Sequence, residues 1–298
     1  MIRQSLVVTA LILILYTAFI HFYGPAISRT AQTTAQRNLV KAEEYMYEAS
    51  SRYDTLIVGS SMSERILTDS LNAHSYNLSF SGLSSLDGLY LIAHSGHAPK
   101  MLFVEINSIA RRDPPQLDLT QFTDSTQHCL KQWLPFLRTK YQPVGVAKAL
   151  LRDWQHGRNA IVIPESALRQ DTALLNKTVT QLQATMHVAP LAAHMNESFA
   201  KARTYLDALR RQGTTVVLFE MPIDVRLEQL AAPQAIRQYA QRYFPAPDYQ
   251  HIDLPNGAFQ TSDGIHLLYN ESARYTRYLR QESALLANRG ATHTAFIE

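Results

Sequence analysis

Three short apolar runs constrain what this chain can fold into. Residues 55–58 (Thr-Leu-Ile-Val), 101–107 (Met-Leu-Phe-Val-Glu-Ile-Asn) and 214–220 (Thr-Thr-Val-Val-Leu-Phe-Glu) are β-rich and apolar at successive positions. A strand that is apolar on both faces must be covered on both, which is the situation of a parallel sheet sandwiched by helices. The segments between the runs have helical spacing. Ser84 and Ser85 can cap a helix whose apolar positions are Leu86, Leu89, Ile92 and Ala93. Residues 197–212 place Phe199, Ala202, Tyr205, Leu206 and Leu209 on one face and stop at Gly213. Two further helices are predicted over 227–242 and 269–287, the last with Tyr275, Tyr278 and Leu279 as core residues. Short strands at 74–78 and 249–254 complete an α/β pattern.

The 298 residues suffice for one large α/β domain, and 46% hydrophobic against 18% charged residues describes a chain that folds. The net charge of +3 is dispersed, with no dense basic run, which argues against a nucleic-acid partner. Cys129 is the single cysteine, so no internal disulfide and no cysteine-based metal site can form. Its expected role is that of a small buried hydrophobe.

The first 28 residues stand apart. Positions 4–28 lack Asp, Glu, Lys and Arg, and 6–22 are nearly all apolar. That length matches a helix crossing a bilayer, with Arg3 before it and Tyr16, Phe22 and Tyr23 as interface anchors. Pro25 is expected to end it. A cleaved signal peptide and a buried core helix are the alternatives; the poor small-x-small pattern favours an uncleaved signal anchor. Either export case puts the remainder outside the cytoplasm, although Arg29, Arg37 and Lys41 weaken the charge asymmetry. Residues 32–52 read as a helix leading up to the sheet. Residues 29–298 are then expected to form one α/β domain.

Residues 108–193 break the strand–helix rhythm with Pro114, Pro115, Pro135, Pro143 and Pro164 and with Phe122, Trp133, Phe136, Tyr141 and Trp154. This is read as a mostly helical insertion, serving either as a lid over the active end of the sheet or as a packing appendage. Trp133, Phe136 and Trp154 would stack on sugars or, the simpler use, pack within the insertion.

Four segments at predicted strand ends carry the chemistry. The turn Gly59-Ser60-Ser61-Met62-Ser63 holds three serines within five residues at the end of the first strand, where open α/β sheets place ligands. The loop to Gly82, the strand end Glu105-Ile106-Asn107, and Asp263-Gly264-Ile265-His266 are the others. Serine chemistry needs a nucleophile, a histidine base, a carboxylate that orients the base and donors for an oxyanion. Ser61 is the candidate nucleophile, with Ser60 and Ser63 as competitors. His266 would take its proton, and Asp263, three residues earlier, would hold the imidazole. The backbone N–H groups of Ser61 and Gly82 and the side-chain amide of Asn107 are the candidate oxyanion donors. Taken singly, each segment is equally an ordinary turn.

The ordered set resembles the SGNH (GDSL-like) hydrolase superfamily, over about residues 54–279 and without the 108–193 insertion. The resemblance implies a three-layer, flavodoxin-like parallel sheet and places the nucleophile third in the Gly59-Ser60-Ser61 turn. Its Asp-x-x-His block is met by Asp263 and His266. The third block departs: Val104-Glu105-Ile106-Asn107 stands where Gly-x-Asn-Asp is usual, so Asn107 is alternatively a structural strand-end residue. The Gly-Ser-Ser variant looks like that of membrane-anchored members acting on cell-envelope polymers. What this implies is an O-acetyltransferase working through an acyl-Ser61 intermediate on an envelope or exported polysaccharide, served by a membrane-embedded acyl-donor protein. A carbohydrate or lipid esterase and a non-catalytic glycan-binding scaffold are the alternatives. No cofactor or metal is implied. His94 and His97 near Asp87 lack strong metal-ligand spacing and read as surface residues. Glu220 reads as the cap of a turn or as an acid behind the site.

Overall fold

The computed structural model describes residues 2–27, 30–71, 73–111, 117–157 and 165–294. The chain divides into two compact units. One comprises Met1–Ser50 with Leu117–Val162, the other Ser51–Gln116 with Ile163–Glu298.

The larger unit is an α/β sandwich on five parallel strands: β1 (Thr55–Val58), β2 (Ser75–Asn77), β3 (Met101–Glu105), β4 (Thr215–Phe219) and β5 (Gln250–Ile252). Their order is β2-β1-β3-β4-β5, that of flavodoxin-like sheets. The register pairs Ile57 with Asn77 on one side and with Phe103 on the other, and Glu105 with Phe219. Strand order reverses at β1, so the carboxyl ends of β1 and β3 flank the crevice in which such sheets bind ligands.

Alternation along the strands sends side chains to two covered faces. Ile57, Phe103, Val217 and Phe219 share one core with Leu175, Val179, Leu267, Tyr275 and Leu279, under the helices Thr172–Met186 and Tyr269–Thr294. On the other face Gly88 of the helix Ser85–His94 lies so close to Val58 that an added Cβ would sit 2.7 Å from Val58 Cγ1. That helix begins with a capping box in which Ser84 and Asp87 satisfy each other's backbone N–H. It packs on Ala192–Arg211, which carries the buried Phe199, Ala202, Leu206 and Leu209.

The smaller unit contains the apolar helix Ile2–Tyr23, which is long and apolar enough to cross a membrane and of which only Ile20 is buried. Expected domain limits change here. Residues 29–50 group with this unit and not with the sheet, and the 108–193 insertion is divided, its 117–162 part joining residues 1–50. Helix Thr34–Glu44 continues as a π-helical turn, Tyr45–Ala49, in place of one helix to residue 52. The remainder of the insertion includes Thr172–Met186, a 15-residue helix whose Leu175 and Val179 enter the sheet core. Pro114, Pro115, Pro164 and Arg29 lie outside the described residues. The closing helix extends to Thr294, beyond the expected end at 287, and residues 295–298 lie outside the described ones.

Replacing Gly88 by Val forces three extra carbons onto Val58 and the Leu78 carbonyl. The expected loss is about 1–3 kcal/mol, from overpacking of a closed helix–strand contact. Thermal unfolding of the variant checks it; an unchanged midpoint would show that this layer is not close-packed.

Candidate active site

The site is assembled from the carboxyl end of β1 upward. After Val58 the chain turns through Gly59, and the buried carboxylate of Glu105, at the end of β3, lies directly against it. A Cβ on Gly59 would fall 2.7 Å from Glu105 Cβ and inside contact distance of Glu105 Oε2 and Ser63 Oγ. Only glycine fits there.

Glu105, 0% exposed, collects the polar groups of the turn. Ser60 N–H donates to Oε2 at 2.8 Å, Ser60 Oγ to Oε1 at 2.9 Å and Ser63 Oγ to Oε2 at 2.5 Å. Carboxylate oxygens accept, so several donors converging on them offset the burial of this polar group. Ser63 Oγ also lies 3.0 Å from Ser79 Oγ, and Asn77 Nδ2 donates to the Ser63 carbonyl at 2.8 Å. Two of the three serines are therefore buried and occupied.

Ser61, half-buried, is the one that faces a histidine. Its Oγ is 2.8 Å from His266 Nε2, and His266 Nδ1 is 2.7 Å from Asp263 Oδ2. With Ser61 donating to Nε2, the ring proton sits on Nδ1 and is donated to Asp263. The loop is shaped for this. Asp263 Oδ1 accepts the N–H groups of His266 at 2.9 Å and Ile265 at 3.2 Å, and Gly264 adopts φ 98°. A two-sided brace closes the loop: Thr261 pairs antiparallel with Leu267, and Asp224 N–H donates to the Gly264 carbonyl at 2.8 Å. Partial burial works against the Asp263 charge. The His266 ring and the two backbone N–H groups outweigh it and hold the carboxyl down at about 2.

The remaining expected residues stand as follows. Phe80 N–H donates to the Gly59 carbonyl at 3.0 Å, which brings the loop carrying Gly82 beside the nucleophile turn, and Gly82 takes φ 78°. Asn107 is bonded to the Met221 backbone both ways, with Nδ2 donating to the carbonyl at 3.1 Å and Oδ1 accepting the N–H at 2.7 Å. Its amide extends the β3–β4 pairing past the strand ends and retains one Nδ2 hydrogen. Glu220 is a partner in a bidentate ion pair with Arg237, at 2.7 and 2.8 Å, a stronger commitment than a turn cap. His94 Nδ1 bonds its own helix at the Tyr90 carbonyl, 2.7 Å away.

Two expectations are overturned. Cys129 is exposed, not buried. Trp133 and Trp154 are 77% and 82% exposed, so neither packs within the insertion. The role of Glu105 was missed, although a carboxylate at the end of an otherwise apolar strand was a visible signal. An apolar cleft of about 290 Å³ was missed too; Ser60, Met62, Met186, Ile223, Ile236 and Ile265 are among its walls. Among the described residues no group of three or more His, Cys, Asp or Glu is disposed to hold a metal ion. No protein-family model matches the chain, and no curated protein matches it at a significant level.

Glu105→Ala strands the Ser60 and Ser63 donors in a buried pocket. A loss of about 3–5 kcal/mol is expected from removing one partner of a buried charge network, with Glu105→Gln milder because one acceptor oxygen remains. Chemical denaturation checks both; equal stability of Glu105→Ala and wild type would refute the anchoring role. For Asp263 the folded pKa is depressed, so its contribution is present above the unfolded value of 3.8 and disappears as pH falls toward about 2. The stability advantage of wild type over Asp263→Asn should therefore narrow across that interval, measured by denaturant midpoints.

Proposed function

We propose that this chain is a serine-dependent acyl-group enzyme of the SGNH-like type, with Ser61, His266 and Asp263 as its triad. The observation that carries this is the unbroken relay from Ser61 Oγ through His266 to Asp263, at 2.8 and 2.7 Å, on the only half-buried serine of a turn whose other two are locked to Glu105. Ser61 Oγ gives its proton to His266 Nε2 and attacks the acyl carbonyl. Asp263 steadies the imidazolium through Nδ1–H. The oxyanion draws on the N–H groups of Ser61 and Gly82 and on the remaining Nδ2 hydrogen of Asn107. His266 then returns the proton to the departing oxygen, leaving acyl-Ser61. A hydroxyl of an envelope or exported polysaccharide, deprotonated by His266, attacks the acyl-enzyme and restores Ser61.

Transfer to a glycan at a membrane, with acetyl supplied by a membrane-embedded donor and the α/β unit on the extracytoplasmic side, is supported by the apolar Ile2–Tyr23 helix together with the triad. Water as acceptor would make the same site an esterase. One observation favours a second reading with a longer acyl chain: the apolar cleft is walled by the residues on either side of Ser61 and by Ile265 beside His266. Both volume and lining exceed what an acetyl group fills.

Full-length protein in detergent should release nitrophenol from activated esters, and Ser61→Ala or His266→Ala should each lower the rate by about 10³-fold or more, as expected of groups that act as a unit. A serine-directed phosphonate should label Ser61. Equal rates for wild type and Ser61→Ala would end the catalytic proposal, and glycan binding without labelling would favour the scaffold. In a chain-length series, kcat/KM rising from acetate to hexanoate, and falling back in Ile236→Trp, would assign the cleft to the acyl group. A maximum at acetate in both proteins would return the assignment to acetyl transfer.

A further inference from the structure

The smaller unit buries ion pairs beside an aromatic core of Tyr45, Phe122 and Tyr141, and it leaves several large apolar side chains outside. Inside, Glu43, 1% exposed, takes Lys131 Nζ at 2.7 Å and the Thr139 N–H at 2.6 Å. Arg138 pairs with Glu48 at 2.8 Å and Lys140 with Glu44 at 2.6 Å. These bonds clamp residues 131–141 to the helix Thr34–Glu44 and its π-helical extension, holding the short turn Pro135–Leu137 where it is.

That turn lies along the apolar helix. Leu134 and Phe136 form one wall of an open groove of about 700 Å³ whose other wall runs from Ala10 to Phe22. Tyr16 Oη donates to the Tyr141 carbonyl at 2.6 Å, so the next helix, Pro143–His156, starts at the carboxyl end of the apolar one. The helix Pro143–His156 is amphipathic in an unusual sense. It buries its small residues, Gly145 and Ala149, with Val146, and exposes Val144, Leu150, Leu151 and Trp154. At 100° per residue those four exposed positions share one face. Trp133, 77% exposed, ends the helix Ser125–Trp133 just before the turn.

An exposed apolar surface continuous with an exposed apolar helix has one occupant that covers both. Whatever surrounds the outer half of Ile2–Tyr23 also fills the groove against Leu134 and Phe136, because the helix is the groove's own wall. Tryptophan at the edge of such a surface is the residue type that belongs at headgroup level. We propose that this unit is a bilayer dock, in which the Pro135–Leu137 turn and the exposed face of Pro143–His156 enter the leaflet beside the carboxyl end of the Ile2–Tyr23 helix, with Trp133 and Trp154 at the lipid interface. The chain would then hold the membrane at two places, a spanning helix and an interfacial helix, and not swing freely on a single tether. This rests on Ile2–Tyr23 spanning the bilayer and is independent of the triad.

The chain's 2 tryptophans are the two residues in question, so fluorescence excited beyond the tyrosine band reports on the dock alone. Full-length protein is placed in phosphatidylcholine vesicles carrying bromine at shallow or deep acyl positions, as wild type and as Trp133→Phe and Trp154→Phe. Resistance to alkaline carbonate extraction reports insertion of the span separately. The expected result is carbonate resistance and loss of about half or more of the emission of each single tryptophan with shallow bromine, less with deep bromine, as befits interfacial rings. Acrylamide quenching in detergent-free vesicles should be at least about twofold weaker than that of free tryptophan in water. Carbonate-resistant protein whose tryptophans are untouched by brominated lipid would overturn the dock. If they were also shielded from acrylamide, a second protein surface would be the occupant. Release by carbonate would overturn it at the premise, by removing the span.

Discussion

The carboxylate of Glu105 is the interaction on which the candidate site depends. Buried at the end of β3, it draws in Ser60 and Ser63 from the turn after β1 and leaves no room for a side chain on Gly59. A buried carboxylate is stable only when its lone pairs are met, so turn and carboxylate stabilise each other. The consequence is selective. Two serine hydroxyls are consumed in holding the turn, and the third, Ser61, is presented to His266.

Sheet topology supplies the rest of the placement. Because strand order reverses at β1, the ends of β1 and β3 open onto the same crevice. Asn107 and Met221 extend the β3–β4 pairing past the strands, and the Glu220–Arg237 pair ties the end of β4 to the helix Ala231–Tyr243. The His266 loop is braced independently, by the Thr261–Leu267 bridge and by Asp263 accepting backbone N–H groups from within the loop. If the proposed triad acts, a geometry held by rigid neighbours on each side would cost little reorganisation when charge develops.

The smaller unit combines a buried ion pair at Glu43, and half-buried ones at Glu44 and Glu48, with tryptophan and leucine side chains left outside. Large exposed apolar surfaces on soluble domains mark interaction sites. Here the surface adjoins the apolar Ile2–Tyr23 helix, and the proposed dock would set both against a bilayer.

Much of this was legible in the sequence. Apolar runs at 55–58, 101–107 and 214–220 announce the covered parallel sheet, because burial on both faces leaves no polar parity along a strand. The Asp263-to-His266 spacing already implies that one tight turn can hold an imidazole against a carboxylate. The Ile2–Tyr23 helix is equally plain from length and hydropathy. Other features are decided only by the tertiary structure. Which of three neighbouring serines is presented depends on Glu105, over 40 residues away, through contacts that no local pattern encodes. Trp133 lies outward beside a segment that Lys131, Arg138 and Lys140 tie to Glu43, Glu48 and Glu44 some 90 residues earlier, and no local pattern in the sequence encodes that pairing.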